Sequence, residues 1–119
     1  LKVEACSPEL NFLTIQQSSQ AGLYLASGSG PIVSCALIRD NHGMGGLVLE
    51  GSGLRPQITN GVFLDNRPFQ VQSFAPIGVD LSGNFWGKPK PESRMFLGQD
   101  LTVLPALSYP PEKCASGAF

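Results

Sequence analysis

Glycine and proline punctuate this chain so evenly that no long helix fits between them. The 14 glycines and 10 prolines are together about a fifth of the 119 residues, above the ordinary level of roughly 12%, and no single tract collects them. Each proline removes a backbone donor and fixes φ, and a glycine inside a helix costs about 1 kcal/mol relative to alanine. What is left are short β-rich runs separated by turn chemistry at roughly ten-residue intervals.

Those runs are Leu23 to Ala26, Ile32 to Arg39, Leu47 to Glu50, Ile58 to Leu64 and Phe69 to Phe74. Shorter pieces follow at Ile77 to Leu81, Asn84 to Trp86, Arg94 to Leu97 and Leu101 to Leu104. Asp40-Asn41-His42-Gly43 predicts a hairpin turn, because Asp and Asn bond their own backbone and Gly supplies positive φ. Asn60-Gly61 predicts a tight turn of the I′ kind. Ser7-Pro8-Glu9-Leu10 predicts at most one short N-terminal helical turn, and Ser116 to Phe119 a closing strand. The pattern predicts an all-β fold, a single-domain β-sandwich or small β-barrel with short antiparallel strands. It spans residues 1–119, with a Pro-rich C-terminal segment at 105–111 inside it. A β-trefoil is the alternative, because Gly22-Leu23-Tyr24-Leu25 and Gly61-Val62-Phe63-Leu64 recur at about forty residues. The third copy is poor, and the sequence yields no convincing internal repeat.

Only 14% of residues are charged, and the formal net charge is −1. No field of that kind gathers phosphate backbones, so nucleic acid is not expected as a partner. No apolar run approaches the ~20 residues of a membrane-spanning helix, so membrane insertion is not expected either. The start, Leu1-Lys2-Val3, lacks the pattern of a signal peptide and reads as a processed or cut chain end.

Cys6, Cys35 and Cys114 match no zinc or redox spacing, and His42 is the sole imidazole; no metal or cofactor is expected. Cys6 and Cys114 lie in polar, loop-like surroundings near opposite ends, which predicts a disulfide between them. Cys35 then remains a buried free thiol. A disulfide and a neutral Ser/Gln/Asn/Gly-rich surface point to a secreted or cell-surface protein.

The search for chemistry returns no catalytic set. Gly43-Met44-Gly45-Gly46 precedes a strand where a phosphate loop wants a helix. Asp40, Glu50, Asp65, Asp80 and Asp100 are scattered one to a turn, and no serine sits in a nucleophile elbow. Trp86, flanked by glycines and next to Asn84 and Phe85, reads either as a core plug or as a sugar-stacking platform. In the second reading Asn84, Asn66, Arg67 and Tyr24 supply hydrogen bonds to hydroxyls. Lys88, Lys90 and Arg94 make the one basic cluster, on a proline-stiffened loop. The sequence predicts a binding module without enzymatic activity, recognising a glycan or a protein surface through its loops. A self-assembling structural subunit or an effector of a host protein is the alternative, and a small hydrolase using His42 or two of the scattered aspartates is the third reading.

Overall fold

The computed structural model describes residues 1–76 and 78–114. Its strands are, in chain order, β1 (Lys2–Val3), β2 (Glu9–Asn11), β3 (Thr14–Gln16), β4 (Ala21–Leu25), β5 (Ile32–Ser34), β6 (Leu37–Arg39), β7 (Gly45–Leu49), β8 (Gln57–Thr59), β9 (Val62–Leu64), β10 (Val71–Ser73), β11 (Val79–Asp80), β12 (Phe96–Leu97) and β13 (Leu101–Thr102). One sheet runs β1-β4-β7-β10-β12, a second β2-β5-β8, a third β3-β6-β9, and β11 pairs with β13. Every pairing is parallel. The chain winds through three short sides and stacks each turn on the last, a β-solenoid of about four turns.

The register builds columns. Leu23 stacks on Leu47, Leu47 on Val71 and Val71 on Phe96. Leu10, Val33 and Ile58 form a second column, and Ile15, Ile38 and Phe63 a third. These columns point inward and pack into one core. A parallel coil of this kind buries apolar area only when each turn has a neighbour, so the columns hold the fold together as a stack.

The all-β reading stands, but the antiparallel sandwich or barrel does not, and neither does the trefoil. The reason lies at the corners. An I′ hairpin needs positive φ at two successive residues, whereas each corner here has one residue in the left-handed region. Phe12, Cys35, Asn60 and Gly83 (φ 54°, 57°, 56° and 79°) form one corner column, and Gln17, Asp40 and Asp65 (59°, 52° and 53°) another. Ala5, Gly28 and Gly53 (53°, 77° and 72°) form the third. A single such residue bends the chain around a corner without reversing it. Asn60-Gly61 is therefore a corner, not an I′ turn, and Asp40 to Gly43 leads from β6 into the next coil. Corner groups are tied between coils by hydrogen bonds such as Asn60 N–H to Gly83 O at 2.8 Å and Asp40 N–H to Leu64 O at 3.0 Å.

The repeat is the length of one coil. Gly22-Leu23-Tyr24-Leu25 stacks on Gly46-Leu47-Val48-Leu49, with Leu23 on Leu47, while Gly61 to Leu64 belongs to a different sheet. Ser7 to Leu10 forms no helical turn, because Glu9–Asn11 is a strand. Among the described residues the helical pieces are 3-10 turns at Ser93–Met95 and Glu112–Cys114. The closing strand expected at Ser116 to Phe119 lies outside the described residues.

The disulfide joins Cys35 to Cys114, and Cys6 is free and exposed. Nearness to a chain end did not bring Cys6 and Cys114 together, because a solenoid keeps its first coil at one end and sends the last residues elsewhere. After β13 the chain doubles back along the corner column of Cys35, Asn60 and Gly83. Gly83 N–H donates to Pro105 O (2.8 Å), Leu107 N–H donates to Asn84 O (2.9 Å), and Cys114 arrives fully buried on Cys35. This strap covers the column down to its second coil. Phe12, in the first coil, stays 54% exposed.

Candidate functional site

Side-chain amides run up the corner beyond β6 and β9. Asn41 Oδ1 accepts from Ser18 N–H (3.0 Å), and Asn41 Nδ2 donates to Asn66 Oδ1 (2.9 Å). Asn66 Oδ1 also accepts from Asn41 N–H (3.1 Å), and Asn66 Nδ2 donates to Ile38 O (2.9 Å) and Gln70 Oε1 (2.7 Å). Gln70 Nε2 then donates to Phe63 O (3.1 Å). Each amide satisfies backbone groups that a bent corner leaves without a sheet partner. The column also leaves room for nothing else: a Cβ on Gly22 would stand 2.7 Å from Asn41 Nδ2, and one on Gly46 2.7 Å from Asn66 Nδ2.

This rigid column backs a surface groove of about 360 Å³ lined by Asp65, Arg67, Phe69, Gln70, Arg94 and Met95, among others. Arg67 leaves the column exposed, and its backbone is bridged to that of His42 one coil away. His42 Nε2 lies 3.2 Å from Asp65 O. Among the described residues no side chain pairs with the Arg67 guanidinium. Arg94 is held by Glu92, with Nε 2.8 Å from Oε2. Lys88 bonds the same carboxylate, and these cations, Lys88 first and then Arg94, hold Glu92 below its ordinary value. Among the described residues the groove thus offers an unpaired guanidinium, an anchored one and an exposed carboxylate, with Phe69 and Met95 as its larger apolar side chains.

The five residues expected to meet in a sugar site do not meet. Trp86 is fully buried, stacked on Phe63 with ring centroids 4.5 Å apart and set edge-on to Phe96 at 4.9 Å. It is a core plug, and its indole N–H finds no partner among the described residues. Asn84 is also fully buried: its Oδ1 accepts from Gly61 N–H (2.9 Å), and its Nδ2 donates to Ile58 O (2.8 Å) and Leu81 O (2.9 Å). Both residues are spent on the fold. Tyr24 lies half-buried on another side, its hydroxyl donating to Glu50 and Lys2 Nζ 5.7 Å from its ring centroid. The Glu50 bond is the main reason its pKa is raised. Asn66 and Arg67 do share a groove, though Asn66 spends its amide on the column and only Arg67 faces outward.

Asp65, Phe69 and Arg94 were not foreseen as groove residues. The signal that finds the groove is the pair Asp40-Asn41 and Asp65-Asn66, one coil apart, which marks the same corner twice. No cluster of His, Cys, Asp or Glu fit to hold a metal occurs among the described residues, and no helix there is long and apolar enough to cross a membrane. No family model matches the chain, and no curated protein or solved structure matches it.

Proposed function

We propose that this chain is a binding module without enzymatic activity that recognises carbohydrate in the groove of Asp65, Arg67 and Arg94. The observation that carries the reading is the exposed Arg67 guanidinium, unpaired among the described residues and held on a rigid corner. A sugar presents hydroxyls that both accept and donate. Arg67 and Arg94 are donors, the Asp65 carboxylate is an acceptor, and Phe69 and Met95 offer apolar surface to the ring faces. The groove is backed by the amide column, so little ordering is required on binding, which favours affinity. The buried Cys35–Cys114 bridge supports an oxidising compartment, secreted or at the cell surface.

The test is a glycan-array and polysaccharide pull-down screen on the oxidised protein, with Arg67→Ala as the paired variant. Arg67 is exposed and bonds no other side chain among the described residues, so its truncation leaves the fold intact. Binding by the native chain that falls at least about tenfold in Arg67→Ala, a loss of about 1.4 kcal/mol, supports the reading. Absence of binding to any glycan overturns it and turns attention to a protein surface as the ligand.

A further inference from the structure

We propose that the sugar taken by the Arg67 groove is a uronic acid, held by its carboxylate on the Arg67 guanidinium; the inference rests on the carbohydrate reading above and narrows it to one chemical class. Each charge around the groove can be followed to its partner. Both oxygens of Glu92 are taken, Oε1 by Lys88 and Oε2 by Arg94 Nε at 2.8 Å, so one carboxylate answers two cations. Asp40 is taken by Arg39, with Nε 2.7 Å from Oδ2. Asp65 lies beside Leu64, which Arg39 pairs with in the next coil. Arg39 is held above its ordinary value first by the Asp40 bond and to a smaller degree by Asp65. Arg67 is left exposed and bonded to no side chain among the described residues. Within this set Arg39, Arg67, Lys88 and Arg94 outnumber Asp40, Asp65 and Glu92, although the whole chain carries a formal net charge of −1. The positive excess is local to this corner, and Arg67 is the group that carries it.

The geometry of the groove favours a carboxylate on a sugar over either group alone. A guanidinium is a planar fork whose N–H groups match the two oxygens of a carboxylate with parallel bonds, and such charge-assisted bonds are about twice as strong as neutral ones. A lone hydroxyl cannot occupy both prongs. Arg67 presents its fork from a pinned backbone: its N–H donates to Asn41 O (2.9 Å), and its carbonyl accepts from Gly43 N–H (3.0 Å). A free inorganic anion would use Arg67 but would have no use for the Asp65 carboxylate or for the Phe69 and Met95 side chains that share the groove. A sugar acid uses all of them. Asp65 sets its orientation, because a carboxylate repels a second carboxylate and accepts from hydroxyls. The acid group therefore lies toward Arg67, the hydroxyls toward Asp65 and the apolar ring face toward Phe69 and Met95.

Titration calorimetry tests this with a panel of uronic-acid oligosaccharides, each beside its methyl ester and its carboxyl-reduced neutral counterpart, and with sulfated neutral oligosaccharides as a separate arm. The native chain is expected to bind an acid at least about tenfold more tightly than its ester, and added salt is expected to narrow that gap. In Arg67→Ala the acid and the ester are expected to bind within about twofold of each other, because the two changes remove one and the same interaction. Arg67→Lys keeps the charge without the fork and is expected to recover only part of the gap. Far-ultraviolet circular dichroism verifies that both variants fold. Neutral and acidic sugars that bind the native chain equally overturn this inference and leave the carbohydrate reading standing. A preference for the acid that persists in Arg67→Ala, or binding of a sulfated sugar where every uronic acid fails, overturns it as well. Absence of binding by any sugar overturns it together with the reading it rests on.

Discussion

At the C-terminal end of the solenoid the chain turns back on itself, bonds Gly83 and Asn84 through Pro105 and Leu107, and fastens Cys114 to Cys35. At the N-terminal end Leu10, Leu13 and Ile15 stand partly covered above buried partners of the same columns. What differs is that, among the described residues, a later part of the chain is seen to fold back over the C-terminal corner column. In a stack where each coil touches only its neighbours, burial is conferred by the next layer and not by residue type alone, so the same side chain is worth more in the middle than at an open end.

The largest effect that tests this contrast is Trp86→Ala. The ring is fully enclosed between Phe63 and Phe96, and its loss is expected to cost about 4 kcal/mol. Leu10→Ala, in the first coil, is expected to cost less, about 2 kcal/mol, because the side chain there is only partly buried against the core. Urea unfolding measures both. Equal losses would break the comparison. Trp86→Phe sharpens it: the smaller ring leaves some space but also removes an indole N–H that has no partner among the described residues, so its cost is expected near 1 kcal/mol.

Removing the bridge comes next. A crosslink between residues 79 apart in sequence has an entropic ceiling of about 4.5 kcal/mol, and real bridges deliver less, so Cys35→Ser/Cys114→Ser is expected to lose about 3 kcal/mol. The location of the loss separates the two ends. Hydrogen exchange is expected to speed up at the Gly83 and Leu107 amides, which bond across the strap, while Tyr24 and Ala26, which bond to the first coil, keep their protection. Cys6→Ser is expected to change neither, because Cys6 is free and exposed. Equal loosening at Tyr24 and Gly83 would mean that the strap holds the whole stack and not one corner.

The β character of this chain is legible from its glycines, prolines and short apolar runs, because those features act within a few residues. Sheet direction is not legible in the same way. Asp40-Asn41-His42-Gly43 and Asn60-Gly61 carry the composition of reversing turns, and only the backbone angles show that one left-handed residue at each makes a corner instead. The coil length was available in Gly22-Leu23-Tyr24-Leu25 against Gly46-Leu47-Val48-Leu49 and in Asp40-Asn41 against Asp65-Asn66. It was obscured because the intervals vary slightly, 23 residues from Cys35 back to Phe12 but 25 on to Asn60. Arg67 was legible as an exposed turn residue. Asn84 and Trp86 were misplaced because a buried asparagine that satisfies a corner has the same local sequence as one that faces a ligand.

The smallest effect separates the ion pairs near the two ends. Glu92 meets two cations, bonding Lys88 and lying 2.8 Å from Arg94, whereas among the described residues Glu4 pairs with Lys2, at 3.8 Å. The cations hold the folded-state value of Glu92 below its ordinary 4.5. A carboxyl group whose folded value is depressed contributes stability above its unfolded value, and that contribution disappears as pH falls through the folded one. The difference in unfolding midpoint between the native chain and Glu92→Gln is therefore expected to be constant near neutrality, to shrink as pH drops below about 4.5 and to vanish in stronger acid. Because all three side chains are partly exposed, added salt shrinks the difference as well. A side-chain carbonyl resonance of Glu92 that titrates at the ordinary value would show that the clasp is not formed in solution. Arg94 would then be as free as Arg67, and the groove would hold two unpaired guanidinium groups facing one carboxylate.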